Sequence, residues 1–176
     1  WLSGFYARAL AAGWDGELLV RELSGLTPDT RVVASDTRQP EFSKPTGDYV
    51  KGAVSAERVT RGQARRAELT FLPAIEQRFG VPGEVLIAIW GMESAFGAVQ
   101  GDSDVIRSLA SLAADGRRRT WAEAQLFAAL RIIATGEATR SQLKGSWAGA
   151  MGQTQFIPET YLSTAVDFDG DGRRDI

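Results

Sequence analysis

The chain has 176 residues, 44% apolar and 24% charged, a balance that fits one globular domain with a substantial core. Its net charge of −2 provides no global attraction to nucleic acid or to anionic membranes. It has neither Cys nor His, which excludes His-based triads, Cys nucleophiles and zinc sites built from either, so acid–base chemistry falls to Asp, Glu, Lys or Tyr.

Residues 1–24 read as two short helices. Phe5, Ala9 and Ala12 share the first face, stopped by Gly13, and Leu18, Leu19 and Leu23 form the second stripe, ended by Gly25. Thr27-Pro28 offers an N-cap with Pro at the first helical position. Residues 37–48 carry two Pro and one Gly and are expected to form a surface loop. Loops carry binding residues more often than their share, so Tyr49, directly after it, is a candidate contact or else half-buried packing. Ser55 can cap a helix running to Phe79, with Leu69, Leu72, Ile75 and Phe79 on its apolar side and a kink or restart at Pro73. Arg58, Arg61, Arg65 and Arg66 on this helix read as a solvated face by default and as ligand contacts in the alternative.

The next stretch, Gly80-Val-Pro-Gly-Glu-Val-Leu-Ile-Ala-Ile-Trp-Gly-Met-Glu-Ser-Ala-Phe-Gly97, organises the rest. Pro82 suits the first turn of a helix, and between Val85 and Met92 every residue but Gly91 is apolar, so this helix is expected in the middle of the protein. Glu93 ends the run, four residues after Ile89, three after Trp90 and three before Phe96, spacings that share one helix face. The expectation is a carboxyl group held among apolar side chains, where the charged form is disfavoured. A neutral carboxylic acid can give its proton to a leaving oxygen, as cleavage of a glycosidic bond requires. The competing reading makes Glu93 a helix-end residue, solvated or paired with an Arg.

Asp102 or Ser103 can start a further helix, with Val105, Leu109 and Leu112 inward, and Asp115-Gly116 is a turn. Arg117, Arg118 and Arg119 follow, then Trp121: a cluster able to meet an anionic or sugar ligand, or a solvated helix start. Three cations at a helix N-terminus oppose its dipole, which favours the functional reading. Thr120 and Glu123 have capping-box spacing, Leu126, Leu130 and Ile133 form a core stripe, and Gly136 ends it. In residues 141–161, Gly145, Gly149 and Gly152 suggest close backbone approach to a ligand or another element. Ser146, Gln153, Thr154 and Gln155 add neutral donors and acceptors suited to hydroxyl and amide recognition, or to satisfying their own loop. The chain closes on Asp167-Phe-Asp-Gly-Asp-Gly-Arg-Arg-Asp-Ile176. Asp167, Asp169 and Asp171 take positions one, three and five of a calcium loop, Gly172 the sharp turn at six, Arg173 the carbonyl ligand at seven. The ligand expected at twelve falls beyond Ile176, and Arg174 stands where an apolar residue is usual.

Residues 80–97, Lys144-Gly-Ser-Trp-Ala-Gly-Ala-Met-Gly-Gln-Thr-Gln-Phe-Ile-Pro158 and Ala165-Val-Asp-Phe-Asp-Gly-Asp-Gly172 together resemble the membrane-bound lytic murein transglycosylase B family. The resemblance runs along the whole chain. It implies a mainly α, goose-type lysozyme-like domain over 1–176, with N-terminal helices and loop over 1–52 and a catalytic core over 53–176, cut short at its C-terminal end. It implies cleavage between N-acetylmuramic acid and N-acetylglucosamine in peptidoglycan, leaving a 1,6-anhydro ring on the muramic sugar. By position, Glu93 matches the single catalytic Glu, while Ser146 and Gln155 match polar groups holding substrate. Arg117 and Arg118 match a paired Arg near the peptide and sugar, and Tyr49 and Trp121 match groove aromatics. Asp167, Asp169, Asp171 and Arg173 match a calcium loop, making Ca2+ a structural ion, with no cofactor for catalysis. The implied partners are peptidoglycan glycan strands, not nucleic acid, with a monomeric state, cell-wall or outer-membrane association and a periplasmic address. No stretch reaches the length of a membrane span, and the start at Trp1 without Met or a signal-like segment is that of a trimmed or mature form. Two other functions compete: a hydrolytic muramidase using Asp102 or Asp104 as second carboxylate, and a non-catalytic, calcium-stabilised wall-binding module.

Overall fold

In the computed structural model, which describes residues 1–38 and 45–176, most of the chain is helical. The elements run α1 Leu2–Ala11, α2 Gly16–Leu23, α3 Thr30–Asp36, α4 Thr46–Ala53, α5 Ala56–Glu68, α6 Leu72–Phe79, α7 Gly83–Ser94, β1 Ser103–Asp104, α8 Val105–Asp115, α9 Arg119–Ala134, β2 Lys144–Gly145 and α10 Pro158–Thr164. The chain divides into two units, one of residues 1–38, 101–151 and 156–176, the other of residues 39–100 and 152–155.

In the first unit the apolar stripes bury as their spacing requires. Phe5 and Ala9 of α1, Leu19 and Leu23 of α2, Ile106 and Leu109 of α8, and Leu126 and Leu130 of α9 meet in one core. Short polar side chains start these helices: Asp15 caps α2, Asp29 caps α3 and Asp104 caps α8, each accepting an N–H of the first turn. Three expected starts move. α3 is capped by Asp29 rather than by Thr27-Pro28, α8 by Asp104 rather than by Asp102 or Ser103, and α9 begins at Arg119 without a side-chain cap. The capping box fails because Glu123 is used elsewhere: its carboxylate accepts from the Trp1 indole at 2.6 Å and from Arg8 at 2.7 Å. β1 and β2 pair antiparallel, Ser103 opposite Gly145.

In the second unit Ser55 caps α5 through the N–H of Arg58, and Pro73 restarts the chain as α6. The expected surface loop lies outside the described residues over 39–44, and its end, from Thr46 on, is helical as α4. The core is small: Leu72, Ile87 and Phe96, with Leu69, Leu86 and Trp90 against them. Close approach is allowed by glycine at two places. A Cβ on Gly83 would stand 2.7 Å from the Leu72 side chain, and one on Gly91 would stand 2.6 Å from the Phe96 ring. The expected central placement of α7 is not observed. Gly83, Ile87, Gly91 and Ser94 face inward, whereas Val85, Ile89 and Met92 are exposed, Ile89 to 51%. Phe79 of α6 is also exposed. Among the described residues no helix is long and apolar enough to cross a membrane.

Candidate active site

Glu93 lies in the last turn of α7, and its side chain is exposed. The pocket of Ile89, Trp90 and Phe96 expected from helical spacing does not form, for a backbone reason. The helix stops at Ser94, and Ala95 (φ 50°, ψ 47°) and Phe96 (φ 60°) both adopt the left-handed conformation. Phe96 therefore leaves the face of Glu93 and folds back into the notch at Gly91, edge-on to Trp90 with ring centroids 5.5 Å apart. Two successive non-glycine residues in this region cost on the order of 1–3 kcal/mol each and persist only where their surroundings enforce them. The N–H groups of Ala95 and Phe96 both return to the carbonyl of Trp90, closing the helix end. Buried Ser94 accepts from the N–H of Gly97 at 3.0 Å through its hydroxyl and from that of Val99 at 2.8 Å through its carbonyl.

The segment 152–155 belongs to the same unit. The indole N–H of Trp90 donates to Gln153 Oε1 at 3.0 Å. Gln155 has φ 50°, and its side-chain amide donates to the carbonyls of Gln100, at 3.0 Å, and Gly152, at 2.9 Å. Its conformation is thus set by its own unit, and its remaining polar atom is the acceptor Oε1. Tyr49 stands on α4 and is exposed, so the half-buried alternative does not apply.

In the first unit the arginine cluster is organised by a residue the sequence did not single out. Asp36, at the end of α3, has a side chain only 2% exposed. Its carboxylate accepts from Arg117 Nε at 2.6 Å and from Arg118 Nη1 at 3.3 Å, and Arg117 also donates to its backbone carbonyl. The hydrogen bond from Arg117 holds the Asp36 carboxyl below its ordinary range. The Arg118 guanidinium lies 4.6 Å from the centre of the Trp121 ring. Arg119 turns away and donates to the carbonyl of Ala113 at the end of α8, where a cation suits the helix dipole. Arg117, Arg118 and Trp121 thus form one assembled group.

Ser146 closes the loop after β2, its hydroxyl accepting from the N–H groups of Ala148 at 3.3 Å and Ala150 at 3.1 Å. The glycines of this stretch serve backbone packing: a Cβ on Gly149 would reach Leu109 at 2.9 Å, and one on Gly145 would strike the carbonyl of Ala150. Asp104 is committed, accepting from Arg140 at 2.8 and 3.0 Å while capping α8. Asp167, Asp169 and Asp171 offer carboxylate oxygens that all lie within 4.8 Å of one another. The loop between them is shaped by N–H bonds from Gly170 and Gly172 to Asp167, and Gly172 has φ 87°. Among the described residues these three carboxylates could supply part of the oxygen set that a hard divalent cation takes. Arg174 binds Glu137 through both Nε and Nη2 and lies against the Tyr161 ring, so an ion pair stands where an apolar residue was expected.

Sequence reasoning therefore missed Asp36 and the use of Gln153 as partner of Trp90. Neither has a local signal, because the partners lie 81 and 63 residues away.

The model of the transglycosylase SLT domain family matches residues 1–176. The chain is 39% identical over 97 residues to the membrane-bound lytic murein transglycosylase B of Escherichia coli K12, covering 54% of this chain and 27% of that protein. It superposes on SltB3 from Pseudomonas aeruginosa, solved with NAG-anhNAM-pentapeptide, with a TM-score of 0.91 and 50% identity over 100% of this chain and 47% of that one. It superposes on Escherichia coli Slt35, solved in complex with calcium, with a TM-score of 0.86 and 29% identity over 99% of this chain and 56% of that one. The chain thus spans about a quarter of the curated relative and about half of these structures, and shares their mainly helical, lysozyme-like fold. By the match over its whole length, the chain belongs to the transglycosylase SLT domain family.

Proposed function

We propose that the chain carries a peptidoglycan lytic transglycosylase activity that cleaves the bond between N-acetylmuramic acid and N-acetylglucosamine and leaves a 1,6-anhydro ring on the muramic sugar. The observation that carries this reading is the 50% identity, over the full chain, to a relative solved with an anhydro-muramic pentapeptide. Glu93 is the one acid–base group. As an acid it gives its proton to the glycosidic oxygen. As a carboxylate it takes the proton of the muramic 6-hydroxyl while that oxygen attacks C1, and the substrate N-acetyl group stabilises the positive centre between the two steps. Because Glu93 is exposed in the free chain, exclusion of water falls to the bound strand. Of the two acids a hydrolytic route would draw on, Asp104 is held by Arg140 and Asp102 is exposed, so the hydrolytic alternative rests on Asp102.

In this reading Arg117 and Arg118 meet anionic groups of the peptide stem, Tyr49 and Trp121 lie along sugar faces, and Ser146 and Gln155 bond to hydroxyl and amide groups. Asp167, Asp169, Asp171 and the Arg173 carbonyl hold Ca2+, which supplies positive charge to a loop of three carboxylates and takes no part in the reaction. The partner is the glycan strand, the active species a monomer, and the address the periplasm or outer membrane. Glu93→Gln tests the assignment: glycan binding is retained while turnover falls by about 100-fold or more. Unchanged turnover removes Glu93 from the mechanism.

A further inference from the structure

We propose that Arg61 is a positioning residue for Glu93, acting through the left-handed turn that ends α7. This rests on the reading of Glu93 as the catalytic acid. Arg61 was read by default as part of a solvated face, with ligand contact as the alternative, and it is exposed. Its guanidinium also donates through Nη2 to the carbonyl of Ala95 at 3.0 Å and lies 5.5 Å from the centre of the Phe96 ring. Both non-glycine residues of this turn that take the left-handed conformation are therefore gripped by one side chain from α5. Its neighbours define the same interface: Arg58 approaches Met92 Sδ at 3.6 Å, and Arg66 pairs with Glu84 at 2.6 Å. The Phe96 ring sits against the α5 glycine that follows Arg61, where a Cβ on Gly62 would stand 3.3 Å away.

Without that grip the chain has other backbone paths open to it at the end of α7. Neither Ala95 nor Phe96 favours a positive φ, and the last carbonyls of a helix are satisfied equally well by another helical turn or by water. Glu93 lies two residues before the turn, and among the described residues no side-chain hydrogen bond fixes it. Its direction is set by where α7 stops. A positively charged donor on the Ala95 carbonyl stabilises the turn, and stacking on Phe96 keeps the ring in the Gly91 notch. Arg61 itself is exposed, so its truncation removes no core side chain, only the guanidinium that covers the Phe96 ring.

The test uses Arg61→Ala and the double variant Arg61→Ala with Ala95→Gly. In the single variant kcat for release of anhydro products falls about tenfold or more while KM stays within about twofold, because the acid is misaligned rather than the strand lost. Amide exchange at Gly97 and Val99, whose N–H groups bond Ser94, becomes faster. Glycine at position 95 takes the left-handed backbone without a Cβ penalty, so the double variant recovers kcat and exchange to within about threefold of the parent. Parent-like kcat in the single variant overturns the proposal, as does a loss that Ala95→Gly does not recover. A parent that releases no anhydro product removes the reading of Glu93 alone. Exchange at Gly97 and Val99 then still decides whether Arg61 holds the turn, and unchanged exchange overturns it.

Discussion

Asp36 accepts hydrogen bonds from two guanidiniums while nearly sealed from water, and this makes it the residue on which the arginine cluster depends. A buried carboxylate is tolerated only when paired, and here the pairing also fixes two side chains otherwise free to wander. Asp36→Asn keeps an acceptor but turns one oxygen into a donor facing cations. Thermal or denaturant unfolding is expected to show a loss of about 1–3 kcal/mol. Affinity for a stem-bearing muropeptide falls with it, while affinity for a stem-free glycan holds, and isothermal titration of the two ligands separates these effects. Asp36 was not legible in the sequence, because one acid among many gains meaning only when residues 81 positions away fold onto it. Arg117, Arg118 and Trp121 were legible as a group, since an Arg run next to an aromatic is a local pattern.

Among the elements, α7 holds Glu93 and the closing Asp loop holds the three clustered carboxylates. The mixed apolar run of α7 has no periodicity to say which side faces inward, so its exposed Val85, Ile89 and Met92 could not be foreseen. By contrast the apolar stripes of α8 and α9 and the glycine that ends α8 were legible, although both helix starts were misplaced. The start of α4 was missed because Pro40, Pro45 and Gly47 punctuate residues 37–48 like a loop. The α7 packing makes a sharp prediction. Gly91→Ala puts a methyl into the Phe96 ring, displaces that ring from its notch and destabilises the fold by about 1–3 kcal/mol, measured by denaturant unfolding. If the Asp loop takes Ca2+ as proposed, added Ca2+ is expected to raise the unfolding temperature of the parent and Asp169→Asn to reduce that rise. Calorimetry with and without chelator reads both.

For the whole molecule, the perturbed acids set the pH range of stability. The hydrogen bond from Arg31 lowers Asp29 to about 2, that from Arg117 lowers Asp36, and that from Arg174 lowers Glu137. Groups lowered by folding stabilise the native state above their unfolded values, near 4, and that contribution is lost as pH falls through the lowered values. Tyr161 has the opposite sense. Burial first, then its bond to Glu137, pushes it up to about 12, so folding favours the neutral phenol. Its contribution is complete below about 10 and is lost as pH rises toward the folded value. The melting temperature is therefore expected to be flat between about pH 5 and 9 and to fall on both sides, the alkaline fall vanishing in Tyr161→Phe.

In the proposed reaction one carboxyl group, Glu93, serves both steps of the cleavage, so that the muramic 6-hydroxyl rather than water closes it. The mass of the soluble fragments released from purified peptidoglycan separates the two outcomes. Muropeptides one water lighter than the hydrolysed form are the predicted result, and fragments carrying the full mass of hydrolysis would contradict it.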